Sequence, residues 1–307
     1  MQKLTHSRVA CWRDCPRKHQ LRYELGLTSA QERHYLTFGT AWHHFHETGE
    51  IATDLDPFER ARLTAMCEAY PFRWNYIARE EQFELPITNP ETGASTPLFT
   101  NSGKNDAIVR LEDGRLAVLE RKSARSVDDV YWSKLELDSQ VSRYFLAARQ
   151  CGYDVQTVVY DVAEKPSLKP LKATPVELRQ YTKKDGRLYA NQRENDETPS
   201  EFQARCAEWI KEGQHFFARE VPITEQRIAE FHAELWWQQQ AIRQCQITDR
   251  WWRNTEACAR YDTCEFLPIC HRSDLKENTP DGYVRLMNVH PELATQGAIP
   301  APKGVSS

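Results

Sequence analysis

The sequence predicts an α/β fold, and three observations carry that prediction. Apolar residues recur at helical spacing over 5–25, 37–49 and 56–78, and again over 133–152. Short apolar runs bounded by turn residues lie between those blocks, which is how paired strands read. A further strand-like run, 154–165, follows the last helical block, so a helix stands between two strands.

The elements follow in order. Thr5 and Ser7 are candidate N-caps for a helix over 5–25 that Pro16 breaks or restarts. Residues 37–49, "TFGTAWHHFHETG", read as a helix carrying several histidines and closed by Gly49. Asp56 and Pro57 open a longer helical stretch, 56–78, which Pro71 divides. "EQFELPI" reads as a strand and "TNPETGASTP" as the loop after it. "NDAIVRL" and "RLAVLER", separated by Glu112-Asp113-Gly114, read as a hairpin. Over 133–152, Leu137, Val141, Tyr144, Phe145 and Ala148 fall on or near one helical face, and Gly152 terminates it. Past the strand at 154–165 a helical region is expected, with Thr174-Pro175 and Thr198-Pro199 as cap and first-turn pairs. A last long helix is expected over 224–247, then a loosely ordered tail rich in Pro, Gly and Ser.

Composition limits the function classes. Of 307 residues, 40% are apolar and 27% charged, and nine tryptophans with twelve each of Tyr and Phe supply core material. The formal net charge of −4 excludes a generally basic nucleic-acid binder, so a polyanion must meet a local patch. No run approaches ~18 apolar residues. "MQKLTHSRVACWRDC" lacks an apolar signal core, so a cytoplasmic location is expected. Disulfides are rare there, and the nine cysteines read as thiols or metal ligands.

The hairpin carries the chemistry. With a three-residue turn, Leu111 pairs with Arg115, and counting outward sets Asp106 across from Glu120. Two close carboxylates repel unless a cation lies between them. The period of two puts Lys122 on the face of Glu120. On the upstream helix His43 stands ready to complete such a site, with His46 and Glu47 one turn on. A divalent ion there would activate water and polarise a phosphoryl oxygen. Surface hairpins also carry charged pairs of this kind, and a one-residue slip in register would separate them.

These residues, taken together, resemble a known family. Asp106 followed by Glu120-Arg121-Lys122 looks like the PD-(D/E)xK nuclease signature. Gly39-Thr40-Ala41-Trp42-His43 resembles an element of the RecB-like branch, and Gln140 with Tyr144 resembles its Gln-xxx-Tyr motif. Cys15-Pro16-Arg17-Lys18 resembles the element supplying the first iron–sulfur ligand in AddB-type and CRISPR-adaptation nucleases. "CARYDTCEFLPIC" resembles their C-terminal cysteine cluster, although its spacing is Cys-x5-Cys-x5-Cys where the AddB type ends Cys-x2-Cys-x5-Cys. Glu120 stands where the branch often has Asp.

The resemblance implies a restriction-endonuclease-like core, a mixed sheet flanked by helices, over about 37–165. A helical extension would cover about 170–250 and a cluster segment 257–270, all in one domain, 1–272, before a tail at 273–307. It implies Mg²⁺ or Mn²⁺ held by His43, Asp106, Glu120 and the Arg121 carbonyl, with Lys122, Gln140 and Tyr144 completing the catalytic set. It further implies a [4Fe-4S] cluster on Cys258, Cys264, Cys270 and Cys15, tying the N- and C-terminal segments together. Cys11, one helical turn from Cys15, is the alternative fourth ligand, and zinc is the alternative metal. The implied activity is a deoxyribonuclease, an exonuclease acting on DNA ends or single strands in recombination, repair or phage DNA processing. A helicase, recombinase or integrase is the implied kind of partner. A non-catalytic DNA-end-binding subunit is the alternative. Arg13, Arg17, Lys18 and Arg22, with Arg121 and Arg125, are candidates for a local basic path.

Overall fold

Thr5 starts the first helix. Its hydroxyl accepts the Arg8 N–H (3.2 Å) and caps α1 (His6–Asp14). Pro16 restarts the chain as α2 (Pro16–His19), followed by a π-helical turn, Gln20–Glu24. In this computed structural model, residues 1–30, 38–260 and 263–293 are described. The histidine-bearing helix is α3 (Phe38–Thr48), ended by Gly49 at φ 78°. Asp56 caps α4 (Pro57–Ala69).

The helical reading fails past Pro71. The helix stops at Ala69, and β3 (Asn75–Thr88) begins where Tyr76 and Ile77 favour an extended chain. The loop expected at 88–97 is tighter, with Thr88 pairing with Ser95 across a turn in which Asn89 Oδ1 accepts the Glu91 N–H. β4 (Ser95–Arg110) is therefore long, and it returns through the hairpin to β5 (Leu116–Ala124). The hairpin register is the one counted from sequence: Leu111 N–H bonds the Arg115 carbonyl, and Ala107 pairs with Leu119.

The expected helix over 133–152 is two helices, α5 (Asp129–Glu136) and α6 (Ser139–Gln150). Asp138 makes the break by capping α6 at the Gln140 N–H. Leu137 lies in that break and is 85% exposed, so it leaves the apolar face on which Val141, Tyr144, Phe145 and Ala148 are buried. β6 (Val155–Glu164) then lies parallel to β5.

The 170–250 extension is helical only in part. α7 (Pro199–Lys211) and α8 (Glu225–Thr248) form behind the caps Thr198 and Thr224. Thr174-Pro175 precedes only a 3₁₀ turn, Val176–Leu178. β7 (Phe216–Val221) is a strand the sequence reading missed. It is short and mostly solvent-facing, with little alternation to announce it.

With β1 (Gln2–Leu4) the sheet order is β1-β4-β5-β6-β7, and β3 covers the other edge of β4. β1 runs parallel to β4, and β7 antiparallel to β6. The sheet is mixed and flanked by helices, and α6 packs on it through a core that includes Phe145, Val158 and Tyr160.

The expectation of a loose tail from 273 does not hold through 293. β8 (Tyr283–Arg285) pairs antiparallel with β2 (Leu27–Ser29), and Leu275 packs into a small core with Leu21, Leu27, Phe266 and Ile269. Composition suggested disorder because these few apolar residues bury against the N-terminal segment, a partner no local window contains. Residues 294–307 of that tail lie outside the described residues.

Candidate functional site

One gap in the sheet makes the site. On one edge β4 pairs with β1 over Phe99–Asn101 and with β5 over Ala107–Arg110. Between those stretches β4 and β5 splay apart. Past Ala107 and Leu119 the Arg121 N–H turns to the Asp106 carboxylate (2.8 Å) where a ladder bond would otherwise form. Asp106 and Glu120 face each other across this fork, 9% and 1% exposed. α3 presents His43 to it, with Nδ1 3.4 Å from Asp106 Oδ1.

Lys122 closes the site. Its Nζ lies 2.8 Å from Glu120 Oε1, donates to Gln140 Oε1 (2.6 Å) and lies 4.0 Å from Asp138. Gln140 Nε2 in turn donates to the Tyr144 hydroxyl (3.0 Å), one turn along α6. The tyrosine is fixed by the edge-on Phe83 ring. So His43, Asp106, Glu120, Lys122, Gln140 and Tyr144, picked from sequence, stand together.

The charges are not equivalent. Burial opposes ionisation of Asp106, but His43 and Arg121 outweigh it and hold the carboxyl below its usual range. His43 is raised by Asp106. Burial, reinforced by Asp106 and opposed by Lys122, pushes Glu120 up to about 7. Burial opposes the Lys122 charge, yet Glu120 outweighs it and keeps the ammonium above the ordinary lysine range. Glu120 Oε2 is buried with no hydrogen-bond partner among the described residues. As the side chains stand, no three His, Cys, Asp or Glu among the described residues form a group able to hold a metal ion. Asp106 is turned to His43 and the Arg121 N–H, and Glu120 to Lys122.

The fork opens into a cleft of ≈ 410 Å³ lined by His43, Asp106, Gln140 and Tyr144, by His6 and Ser7 of α1, and by Pro291–Leu293. The sequence reading missed Glu80 and Lys104 in this cleft. Lys104 Nζ lies 2.7 Å from Glu80 and 3.4 Å from Glu47. Lys104 stands two residues before Asp106, so strand alternation alone would have placed it on that face. Glu80 had no such signal, because it sits at φ 51° inside β3, a conformation sequence does not announce for glutamate.

Other candidates sit elsewhere. His46 is core. It lies between the Trp42 and Tyr70 rings, and burial pulls its pKa down to about 2. Arg121 is 2% exposed and donates to the Tyr76 hydroxyl (2.6 Å), so it offers nothing to a surface path. Arg17 donates to the Arg272 carbonyl (2.8 Å), Arg22 to Glu265 (2.9 Å), and Lys18 lies 3.5 Å from Asp14. Arg17 and Arg22 brace the cysteine segment, whereas Lys18 pairs within the N-terminal helices. Arg13 and Arg125 remain at the surface.

The cysteines converge as well. Cys15, Cys258, Cys264 and Cys270 line one largely apolar cavity of ≈ 200 Å³, and none is in a disulfide. The Asn254 N–H donates to Cys15 Sγ (3.4 Å). Cys11 is not part of this lining, and burial pushes its thiol up to about 12.

A family model described as the PD-(D/E)XK nuclease superfamily matches residues 3–271. A solved structure titled "Crystal structure of SSO0001" is similar at 14% identity and a TM-score of 0.39, covering 88% of this chain and 86% of that one. No curated protein gives a significant match.

Proposed function

Because the chain belongs to the PD-(D/E)XK nuclease superfamily, we propose that it is a metal-dependent DNA exonuclease acting on DNA ends or single strands, built around a structural [4Fe-4S] cluster. The observation that carries this reading is the fork. Two buried carboxylates face each other there, and one of them, Glu120, has the Lys122 ammonium 2.8 Å from one oxygen and no hydrogen-bond partner among the described residues on the other.

Asp106, Glu120, His43 and the Arg121 carbonyl would hold Mg²⁺ or Mn²⁺. The donor set fits a hard cation: oxygen predominates, and the orphaned Glu120 Oε2 is a buried acceptor awaiting a positive partner. When bound, such an ion lowers the pKa of its water and offsets charge on the phosphate. The chain's own residues supply the rest. Lys122 stays protonated and gives a fixed ammonium to a phosphate oxygen as charge develops. Gln140 and Tyr144 are positioning residues that hold Lys122 on its line.

The thiol cavity fits a cluster better than a lone ion. Its ≈ 200 Å³ is many times the ~10–15 Å³ that one water needs by the same measure, whereas zinc sits ≈ 2.3 Å from each thiolate. Four thiols are what a cubane needs. The setting is DNA recombination, repair or phage DNA processing, with a helicase, recombinase or integrase as the kind of partner. Digestion of 5′- and 3′-labelled linear DNA beside a closed circle, with and without divalent metal, tests the reading. Metal-dependent shortening of linear DNA with the circle intact is expected, and efficient cutting of the circle would overturn the need for an end.

A further inference from the structure

α1 links two openings on the molecule. His6 and Ser7 at its start line the catalytic cleft. Trp12, Arg13 and Asp14 at its end line a second groove of ≈ 310 Å³, together with Pro16, Trp252, Arg253 and Asn254. Trp252 is 56% exposed and packs edge-on to Trp12, with ring centroids 6.0 Å apart. A tryptophan held at one edge and open on its remaining surface costs little to stack upon, because its own rotamer is already restricted.

The charge around it is positive. Arg13 and Arg253 are exposed. Among the described residues Arg13 bonds Ser139 Oγ (3.1 Å) and Arg253 the Cys270 carbonyl (3.1 Å), and neither partner is anionic. Asp14, the acid among the groove's described lining residues, already faces Lys18 (3.5 Å) and Arg260 (3.3 Å). Ser139 adjoins Asp138 and Gln140, which flank Lys122, so Arg13 also points the way to the catalytic fork.

We propose that this groove is a stacking subsite for a single DNA strand whose reacting phosphate lies in the cleft. The proposal rests on the nuclease reading and names its substrate more closely. Exposed aromatic rings beside guanidinium groups are the chemistry that holds unpaired bases and a phosphate backbone without reading sequence. From His6 to Arg13 the helix rises about 10 Å at ~1.5 Å per residue. At ~3.4 Å per stacked nucleotide the groove meets the strand about three nucleotides from the cleft.

The test is anisotropy with labelled oligothymidylates of two and twelve nucleotides, in Ca²⁺, on the full-length, cluster-containing protein. Trp252→Ala should weaken binding of the 12-mer about tenfold, the scale of one lost stack. Trp252→Phe should recover most of that loss, and Arg13→Ala should weaken the 12-mer and flatten its salt dependence. The 2-mer, too short to reach, should not distinguish wild type from the variants. A 12-mer bound equally by wild type and Trp252→Ala, with both digesting DNA, overturns the subsite and leaves the nuclease reading intact. A wild type that neither binds nor digests DNA overturns both. An equal loss for both lengths, or no rescue by Phe, assigns Trp252 a structural role and overturns the subsite.

Discussion

Gly103→Ala tests how the sheet sets the site. Gly103 lies three residues before Asp106 on β4, opposite Phe83 of β3. A Cβ there would fall 2.5 Å from Phe83 Cζ and 2.9 Å from Cε1, so the ring must move by roughly 1 Å to restore van der Waals contact. The ring is buried, 6% exposed, and stands edge-on to Tyr144 at 6.0 Å, so its movement presses on the Tyr144–Gln140–Lys122 chain. Gly103 is not in the left-handed region, so alanine itself would gain ~0.4–1 kcal/mol by restricting the unfolded chain. Overpacking costs about 1–3 kcal/mol and wins. A fall in Tm of several degrees is expected at ~2–4 °C per kcal/mol, together with reduced cleavage. Adding Phe83→Leu should restore part of both losses, because the two residues share one contact. An unchanged Tm and wild-type cleavage in Gly103→Ala, or losses that simply add in the double variant, would refute this reasoning.

Cys264→Ala and Cys15→Ala should each lose iron and, with it, folding stability on the order of 10 kcal/mol if the cluster matches structural zinc centres. Cys11→Ala should keep full iron, since Cys11 does not line the cavity. Iron content and melting of the three variants decide it, and retained iron in Cys264→Ala would remove it from the ligand set. Stability should fall in acid, because His19 and His46 are buried and burial holds both near about 2 against an ordinary 6.5. Each folded imidazole stays neutral while the unfolded chain takes up its proton. Stability is therefore full above about pH 6.5 and drops by roughly 1.4 kcal/mol per pH unit per histidine below it. Denaturant unfolding at two pH values should give a shallower slope for His19→Gln, and an identical slope would contradict the assignment.

Much of the site was legible because its residues obey local rules. The hairpin turn fixed the register that opposes Asp106 to Glu120, and helical spacing put Gln140 and Tyr144 on one face. The thiol convergence rested on a resemblance, since Cys15 and Cys258 are brought together by chain reversal that no local pattern encodes. Tertiary context defeated the rest. Arg121 reads as an exposed cation in a strand of charged residues, but its alternate face packs under the sheet against Tyr76. Asp138, read as helix interior, competes for the backbone and splits α5 from α6. Glu80 enters the cleft through a positive φ inside a strand.

The central claim is that the fork between β4 and β5 is a metal-dependent phosphodiesterase site. Digestion of end-labelled DNA in Mg²⁺ or Mn²⁺ by Asp106→Ala and Glu120→Ala, with gel-shift binding in Ca²⁺ as control, tests it most directly. Each variant loses one of two opposed carboxylates, so cleavage should be abolished while binding and iron content persist, because removing an acid lowers repulsion of a polyanion. Wild-type cleavage by either variant would contradict the account.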